Sequence, residues 1–377
     1  MIVSEIILKN YRNYENARVK FNSKINIIIG DNAQGKTNIL ESIYFLSITK
    51  SYRTSNDTIL INSGKEFCKI IAKLKENKLS KKVEITLNKE KKNIIYNNSC
   101  VKRISDFIGI FKVIIMAPED LDIIKGSPLL RRNLLNIELS KLSNEYIVKY
   151  NEYNKLLKMR NDYLKLLMTN SIADYRYLDI ITEKLIERAV YIYSERYKFI
   201  ENINSKITDI YQSITGISDL IIKYIPNIDI KNFDNESIRK ALKHKLCKYR
   251  EKEISLGMTI YGPHRDDFDF LLEKNDIKFY GSEGQQKLAI IALKLSLVYV
   301  FFERDGNMPV LLLDDIFSEL DRKKKNKLID YINNVGQVII TTNDIRDINK
   351  NKLIDTTVFE VKNKNIIEKG DINGKRK

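Results

Sequence analysis

Residues 30–37 read Gly30-Asp31-Asn32-Ala33-Gln34-Gly35-Lys36-Thr37, and this stretch decides the fold. It follows an apolar run at residues 25–29 and precedes residues 38–46, whose apolar side chains have helical spacing. A strand, a G-x-x-x-x-G-K-[ST] loop and a helix, in that order, are what a phosphate-binding P-loop requires. The glycines let backbone N–H groups approach a polyphosphate, while Lys36 reaches the β- and γ-phosphates and Thr37 offers a hydroxyl to Mg2+. The whole stretch therefore predicts a nucleoside triphosphate site.

A second stretch, Val310-Leu311-Leu312-Leu313-Asp314-Asp315, ends an apolar run with two carboxylates and is a Walker B candidate. A carboxylate at the end of a buried strand can hold Mg2+ opposite the P-loop hydroxyl, so Asp314 and Thr37 are the predicted metal ligands. Asp315 would then orient the attacking water, and Asp315 and Lys36 are the predicted catalytic groups. An acidic pair at a strand end could equally cap a helix, so this interpretation depends on the neighbouring motifs.

Charge and length set the broad class. The chain has 377 residues and a formal net charge of +16, from 65 Lys and Arg against 49 Asp and Glu. This length is typical of one large domain or of two to three smaller ones. A basic surface favours a polyanionic partner, either nucleic acid or an acidic membrane face. Lys, Asn and Ile are abundant throughout, however, and such a general bias explains part of the positive charge equally well.

The cysteines and histidines are few and scattered. Cys68, Cys100 and Cys247 form no C-x-x-C pair, and the two histidines are His244 and His264. A zinc site or a disulfide framework is therefore not expected, and the thiols indicate a reducing compartment. The N-terminus lacks the pattern of a signal peptide, and no apolar run approaches the roughly 18 residues of a membrane span. We expect a cytoplasmic protein without a membrane partner.

The chain alternates between strand and helix patterns. Residues 1–30 contain short apolar runs that predict strands, and the hairpin-rich pattern of residues 58–117 favours an antiparallel sheet beside the nucleotide core. Residues 129–215 have apolar steps of three, four and seven, which predict two long antiparallel helices with a break at Asn170 to Asp174. Residues 286–342 return to apolar strands that alternate with helices, and this predicts a parallel sheet covered on both faces.

The start of one C-terminal helix carries a third motif. Residues 281–287, Gly281-Ser282-Glu283-Gly284-Gln285-Gln286-Lys287, resemble the signature of ABC-type ATPases, in which serine and glycine donors cap the γ-phosphate of ATP on a second subunit. The resemblance implies that Ser282, Gly284 and Gln285 complete an ATP site in trans, in a head-to-tail homodimer with two composite sites. Residues 318–321 resemble the D-loop along that interface, which implies that Ser318 and Asp321 lie there.

The order of these motifs predicts the fold class: α/β, an ABC-type P-loop ATPase head with an antiparallel β subdomain and an inserted helical lobe. Residues 1–125 would form the N-terminal part of the head, with the P-loop and the β subdomain. Residues 126–256 would form the lobe, a helical hairpin, and residues 257–377 the C-terminal part of the head. Roughly 250 residues separate P-loop and signature, which is itself domain-sized. This spacing indicates the soluble DNA-repair branch of the superfamily, which includes the SMC proteins.

Within that branch the sequence resembles the RecF family of bacterial recombinational-repair proteins over nearly its whole length. Four blocks in order carry the resemblance: residues 8–14 with 30–41, residues 50–54 with Asp57, residues 118–121 with 125–128 and 131–132, and residues 262–267 with 281–286 and 313–321. The chain departs from the usual pattern at Leu134, Asn136, Lys287 and Asn343. Lysine in place of arginine at 287 weakens any bidentate role there. No histidine follows Thr341-Thr342, where ABC transporters place a switch histidine, so γ-phosphate sensing must be built differently.

The resemblance implies an ATP- and Mg2+-dependent DNA-binding protein of recombinational repair, replication and the SOS response. ATP would drive dimerisation and binding to single-stranded and duplex DNA at gap junctions. A weak, DNA-stimulated ATPase would then reset the protein. The family acts with RecO and RecR to promote RecA loading, so these proteins are the implied partners.

Four arginines in the shared blocks are candidates for contact with DNA phosphates or with the ATP interface. They are Arg53, Arg131, Arg132 and Arg265. Internal ion pairs with Glu119, Asp120, Asp266 or Asp267 explain them equally well. A basic stretch at residues 239–252 is likewise either a DNA-facing patch or a solvated helix face.

Two other functions stay open at this point. An ABC-transporter-type ATPase subunit would share the same motifs, but it needs a membrane partner and usually a switch histidine, and the helical insert is larger than it requires. A P-loop GTPase normally selects guanine with an N-K-x-D loop. Residues 351–355, Asn-Lys-Leu-Ile-Asp, are one residue too long for that loop.

Overall fold

The computed structural model describes residues 1–77, 79–169, 174–349 and 352–371. Its strands are β1 (Ile2–Tyr11), β2 (Tyr14–Lys20), β3 (Ile25–Ile29), β4 (Phe67–Glu76), β5 (Leu79–Asn88), β6 (Lys92–Tyr96), β7 (Ser99–Cys100), β8 (Val113–Met116), β9 (Leu220–Ile225), β10 (Asp267–Leu272), β11 (Asn275–Asp276), β12 (Val310–Asp314), β13 (Val338–Thr342), β14 (Thr356–Lys362) and β15 (Asn365–Asp371). Its helices are α1 (Lys36–Ile48), α2 (Ile104–Phe107), α3 (Asp122–Lys125), α4 (Pro128–Leu142), α5 (Asn144–Thr169), α6 (Tyr175–Thr215), α7 (Asn235–Lys248), α8 (Arg250–Leu256), α9 (Ile277–Tyr280), α10 (Glu283–Asp305) and α11 (Arg322–Asn334). The strand and the helix predicted on either side of the P-loop are β3 and α1.

These elements form two compact units. The first consists of Met1–Asp120, Asp209–Ile217 and Lys287–Lys377, and the second of Leu121–Thr208 and Ser218–Gln286. The second unit thus extends past the boundary that the sequence suggested after residue 256. The reason is that β10 pairs with β9 and with β11, which keeps the segment up to the signature with the helices.

The first unit contains the predicted parallel sheet, in the order β15-β14-β3-β13-β12-β8. All neighbours from β14 to β8 run parallel, and β15 closes the edge as an antiparallel hairpin with β14. The register places Ile29 beside Thr342 and Thr341 beside Asp314. The carboxyl ends of β3, β13 and β12 therefore meet at one edge, which is where open α/β sheets bind their ligands.

The same unit contains the predicted antiparallel sheet, in the order β2-β1-β4-β5-β6-β7. Helix α1 contacts β8, β12 and β13 of the parallel sheet, while Arg12 and Asn13 from the β1–β2 turn bond to its other side. Eleven of its thirteen residues are buried, among them the charged Glu41. The helix that follows the P-loop is thus a core element, which fixes the position of the loop.

The second unit is built on α4, α5 and α6. The apolar steps predicted on the two long helices lie in its core, where Tyr146, Tyr153 and Leu164 of α5 and Leu185 and Ile192 of α6 are buried. The aromatic side chains of this stripe are therefore packing residues. The predicted helix break falls almost wholly on residues 170–173, outside the described residues. A three-stranded sheet, β11-β10-β9, completes the unit together with α7 and α8.

One helix among the described residues, Glu283–Asp305, is long and apolar enough to cross a membrane. Of its most apolar window, 78% is buried inside the protein. Its composition is therefore that of a core helix, which is apolar on all sides because other parts of the protein pack around it.

Candidate nucleotide-binding site

The P-loop backbone needs glycine at two positions. Gly35 has a φ of 112°, and a Cβ there would lie 2.7 Å from the Tyr14 hydroxyl and from Asn13 Nδ2. Gly30 has a φ of 156°, and a Cβ there would collide with the carbonyl oxygen of Val361. Residues other than glycine rarely adopt such backbone conformations. The tight turn brings backbone N–H groups to the start of α1, where the helix dipole favours an anion.

Lys36 extends back over the loop and is only 7% exposed. Its ammonium donates to the carbonyl oxygens of Gly30 at 2.6 Å and Asp31 at 2.9 Å, and to Asn343 Oδ1 at 2.8 Å. Burial lowers the pKa of this ammonium, and the nearby Asp315 carboxylate opposes the shift. Asn343 follows β13, where transporter ATPases place a switch histidine, so an amide oxygen stands beside the P-loop lysine instead.

Asp314 ends β12 and faces the P-loop. Its Oδ1 accepts hydrogen bonds from Thr37 Oγ1 at 3.0 Å and from Thr341 Oγ1 at 2.6 Å. Its Oδ2 accepts one from the Tyr52 hydroxyl at 3.1 Å. A hydroxyl and a carboxylate side by side are the hard oxygen donors that Mg2+ prefers, so Thr37 and Asp314 fit the metal that the P-loop implies.

Asp315 is held in a left-handed conformation, with a φ of 52°. Its backbone N–H donates to the carbonyl oxygen of Thr341 at 3.1 Å, which ties it to β13, and it precedes a single 3-10 turn, Ile316–Glu319. Its side chain does not cap that turn, since no side-chain cap bond forms there. The Asp315 carboxylate raises the pKa of the Lys36 ammonium against the effect of burial, so the two predicted catalytic groups interact electrostatically.

A buried carboxylate supports the site from behind. Glu41 of α1 accepts two hydrogen bonds from Arg12, Nε at 2.8 Å and Nη2 at 2.6 Å, and a third from Ser51 Oγ at 2.5 Å. Arg53 reaches the same carboxylate at 3.9 Å and donates to Asn38 Oδ1 at 3.1 Å. The first two sequence blocks therefore converge on α1, where they hold the P-loop helix and the segment that carries Tyr52.

Residues 281–286 of the signature stretch lie in the second unit, and the stretch starts α10 with a capping box. The backbone N–H of Ser282 donates to Gln285 Oε1 at 2.8 Å, and the backbone N–H of Gln285 donates to Ser282 Oγ at 3.3 Å. Gln286 is buried and donates to the carbonyl oxygen of Ile277 at 2.9 Å. Ser282 and Gly284 are exposed, and no atom lies within 4 Å of where a Cβ on Gly284 would stand. The base of the motif is buried and hydrogen-bonded, and its outer face is exposed.

The two D-loop candidates are exposed in the first unit. Ser318 Oγ donates to the carbonyl oxygen of Asp315 at 2.8 Å, which links it to the Walker B turn. Asp321 caps α11 by accepting from the backbone N–H of Lys324 at 2.9 Å. That hydrogen bonding to Lys324 lowers the pKa of Asp321, so the carboxylate is charged at neutral pH.

The structure separates the four candidate arginines. Arg131 is 5% exposed and forms a two-bond pair with Asp267, Nε at 2.6 Å and Nη2 at 2.9 Å. We therefore assign it an internal, structural role and no longer count it among the DNA-facing residues. Arg132 is half-buried and donates to the carbonyl oxygen of Asp266 at 2.8 Å. Arg53 is held against α1 as described above, and Arg265 is exposed.

The other residues of the stretch 262–267 are buried or half-buried and connect elements of the second unit. Asp266 is fully buried and accepts from Arg196 Nη1 at 3.0 Å and from the Tyr224 hydroxyl. His264 Nε2 lies 3.1 Å from the carbonyl oxygen of Thr259, which can only accept, so this nitrogen carries the proton. Nδ1 then accepts from the Tyr153 hydroxyl at 2.6 Å. Burial lowers the pKa of His264 to about 4.

The basic stretch at residues 239–252 lies on α7 and α8. Several of its charges are paired with acidic residues of the same unit: Arg239 and Lys243 with Glu183, Lys240 with Glu236, Lys245 with Asp229, and Arg250 with Asp179. These pairs favour a solvated, internally balanced helix face over a dedicated DNA-binding patch.

Reasoning from the sequence missed three contributors to the site: Tyr52, Thr341 and Asn13. Asn13 Nδ2 donates to the carbonyl oxygen of Gln34 at 3.1 Å, and Asn13 Oδ1 accepts from Asn38 Nδ2 at 2.8 Å, so it clamps the P-loop. All three stand in or beside stretches that the sequence had singled out. The signal was present, but their roles depend on side-chain directions that periodicity does not give.

Comparison with known proteins agrees with this architecture. The family model described as "RecF/RecN/SMC N terminal domain" matches residues 2–366. A protein of Geobacillus sp. (strain WCH70) called "DNA replication and repair protein RecF" is 37% identical over 363 residues, which cover 96% of this chain and 97% of that protein. A protein of the same name from Bacillus cereus (strain G9842) is 37% identical over 365 residues, with coverage of 96% and 97%.

Solved structures give the same result. A chain described as "Structure of the recombination mediator protein RecF-ATP in RecFOR pathway" is 30% identical, has a TM-score of 0.89, and matches over 97% of both chains. An SMC head bound to the C-terminal winged-helix domain of ScpA matches with a TM-score of 0.56 at 14% identity, over 98% of both chains, and this likeness shows the fold alone. The ABC-type ATPase head predicted from the motifs is therefore confirmed.

Proposed function

The chain belongs to the RecF family within the RecF/RecN/SMC group, and from that premise we propose that it is an ATP-dependent DNA-binding protein of recombinational repair and DNA replication. The observation that carries the proposal is the contact between Thr37 of the P-loop and Asp314 of the Walker B strand, 3.0 Å apart at the edge of the parallel sheet. This pair joins the two halves of a nucleotide site that stand 277 positions apart in the chain.

The residues of the first unit have distinct tasks in ATP binding. The backbone of residues 30–37 and the Lys36 ammonium would hold the phosphates, and Thr37 and Asp314 would hold Mg2+. The bound metal would neutralise charge on the β- and γ-phosphates. Asp315 would orient the attacking water beside Lys36. Only weak ATPase activity is expected, since no histidine follows β13 and Asn343 occupies that place.

The signature residues would act on a second copy of the chain. Ser282 and Gly284 are exposed at the start of α10, and the space around Gly284 is open to a close approach. A composite site of this kind makes ATP the link of a head-to-tail dimer with two-fold symmetry, with Ser318 and Asp321 beside the interface. Binding of ATP would then favour the dimer because both copies contact the same nucleotide.

DNA would be bound through its phosphates. The net charge of +16 supports sequence-independent binding, and Arg265, with Arg132 and Arg53 as further candidates, is exposed to take part. By analogy with the RecF structures of the RecFOR pathway, we propose action in the cytoplasm at single-strand gaps, with RecO and RecR as partners and RecA loading as the outcome. The named relatives give no support to the transporter-type alternative.

The direct test is DNA binding to gapped, single-stranded and duplex substrates, with and without ATP, for the wild-type chain and for Lys36→Ala. We expect ATP to strengthen DNA binding by the wild type and to have no effect on DNA binding by the variant. Salt should weaken DNA binding steeply, because contacts with DNA phosphates release counterions. Binding that is equally strong with and without ATP in both proteins would contradict the proposal.

A further inference from the structure

Asp314 accepts hydrogen bonds from three hydroxyl groups, and these bonds are divided unequally between its two carboxylate oxygens. Thr37 and Thr341 both donate to Oδ1, at 3.0 and 2.6 Å. Tyr52 donates to Oδ2 at 3.1 Å, and no other side chain of the described residues is hydrogen-bonded to that oxygen. Thr37 and Thr341 therefore hold one oxygen of the carboxylate, and the Tyr52 hydroxyl holds the other.

Tyr52 is itself held in place by a ring contact and by hydrogen bonds of the neighbouring residues. Its ring packs edge-on against Tyr44 of α1, with ring centroids 5.5 Å apart. On one side along the chain, Ser51 Oγ donates to buried Glu41 at 2.5 Å, and the backbone N–H of Arg53 donates to the same Ser51 Oγ at 3.0 Å. A phenol fixed in this way can orient another group, whereas a mobile one could not.

We propose that Tyr52 is a positioning residue for Asp314, and that its hydroxyl sets the affinity of the nucleotide-loaded site for a divalent cation. The inference rests on the proposed ATP function, because it takes Asp314 to be a metal ligand. Tyr52 does not contact the metal in this assignment. It orients the carboxylate that does, as hydrogen-bonded partners of ligating carboxylates commonly do.

The phenol leaves a specific mark on metal binding. Removing an outer partner of a metal ligand typically lowers metal affinity by about 10- to 100-fold. Because Thr37 and Thr341 still hold Oδ1, we expect Tyr52→Phe to fall at the lower end, about tenfold. Nucleotide affinity without metal should stay unchanged, since Tyr52 has no hydrogen bond to the P-loop.

The experiment titrates Mn2+ by electron paramagnetic resonance into the full-length chain saturated with a non-hydrolysable ATP analogue. Metal-free nucleotide affinity is measured in EDTA with a fluorescent analogue. Tyr299→Phe is the matched control, because Tyr299 is a half-buried tyrosine on α10 of the same unit. Tyr52→Phe is also combined with Asp314→Asn, which should abolish most of the Tyr52 effect because the two residues act through one contact.

The outcomes separate this inference from the proposed function. Wild-type Mn2+ affinity in Tyr52→Phe, or an equal loss in Tyr299→Phe, would overturn the role of Tyr52. An equal fall of metal-free and metal-dependent nucleotide affinity would show a merely structural role and would overturn it as well. If Asp314→Asn kept wild-type Mn2+ affinity, the metal assignment in the proposed function would itself be wrong. Only a selective loss in Tyr52→Phe that disappears in the Asp314→Asn background supports the inference.

Discussion

Gly35 combines a left-handed backbone with a lack of space, and both follow from its place between the β1–β2 turn and α1. Gly35→Ala would place a Cβ 2.7 Å from the Tyr14 hydroxyl at a φ of 112°. We expect at least a tenfold loss of ATP affinity, because the loop must shift, and a fall of about 1–3 kcal/mol in the free energy of unfolding. Fluorescent-nucleotide titration and urea denaturation measure the two effects.

The control is Gly64→Ala. Gly64 also has a positive φ, 79°, but no atom lies within 4 Å of its virtual Cβ. It should share the backbone strain and keep wild-type ATP affinity. Equal ATP binding by wild-type and Gly35→Ala chains would contradict the assignment of residues 30–37 as the phosphate cradle.

Arg131 and Arg265 differ in burial although both belong to basic positions in the shared blocks. Arg131→Ala leaves Asp267 without its two-bond partner, so we expect a loss on the order of 3 kcal/mol in the free energy of unfolding. Arg265→Ala should leave stability within about 0.5 kcal/mol of wild type and weaken DNA binding. Urea denaturation and DNA binding measured on both variants check this, and a stability loss in Arg265→Ala as large as that in Arg131→Ala would refute it.

At the level of single residues, the sequence allowed the P-loop and the Walker B carboxylates to be predicted because their spacing in the chain encodes their chemistry. It could not show which of the four arginines are buried, because Arg131 is paired with Asp267, which lies 136 positions away in the chain. Nor could it find Tyr52, because the hydrogen bond from its hydroxyl to Asp314 joins positions that are 262 residues apart in the chain.

At the level of elements, the neutral His264 links the segment at residues 259–264 to α5, because its ring accepts a hydrogen bond from the Tyr153 hydroxyl. His264 has a pKa lowered to about 4, against 6.5 in an unfolded chain, so the unfolded state binds one more proton between these values. Stability should therefore fall as the pH drops from 6.5 towards 4, by up to about 3 kcal/mol from this group. The contribution of His264 to stability should be fully present above pH 6.5.

His264→Gln tests this dependence, because a glutamine side chain does not titrate. We expect the free energy of unfolding of the variant to depend less on pH between 6.5 and 4 than that of the wild type, as measured by urea denaturation at several pH values. Parallel pH profiles for the two proteins would rule out the proposed contribution of His264. Comparison with the wild type removes the effect of the carboxylates, which titrate in both proteins.

Long, strongly periodic elements were predictable from the sequence. The two long helices expected within residues 129–215 are α5 and α6, and the alternating strands and helices expected within residues 286–342 are α10, β12, α11 and β13. The two-helix prediction did not include α4, which is a separate helix before α5. The strands β9 to β11 and the hairpin β14–β15 were not predicted. They are short or carry polar residues, as in Leu220–Ile225 with alternating burial, so the local pattern does not identify them. The pairing of β9 with β10 also joins segments that are distant in the chain, where tertiary context decides.

At the level of the whole molecule, the order of the motifs was sufficient to predict the ATPase head. It was not sufficient to predict how the chain divides into two units. The signature is a sequence neighbour of Walker B, yet residues 218–286 pack with the helices because β10 pairs with β9. Consequently the P-loop and Ser282 lie in different units. We propose that Ser282 of a second copy of the chain completes the ATP site.

A mixing experiment tests that claim most directly. Lys36→Met disables the P-loop, and Ser282→Arg places a bulky cation on the exposed signature; each variant alone should stay monomeric in ATP by light scattering. An equimolar mixture can form one intact site, from the P-loop of the Ser282→Arg chain and the signature of the Lys36→Met chain. We predict ATP-dependent heterodimers in the mixture, weaker than the wild-type dimer. ATP-induced dimerisation of either variant alone to the wild-type extent, or a mixture that stays monomeric while the wild type dimerises, would contradict the composite site.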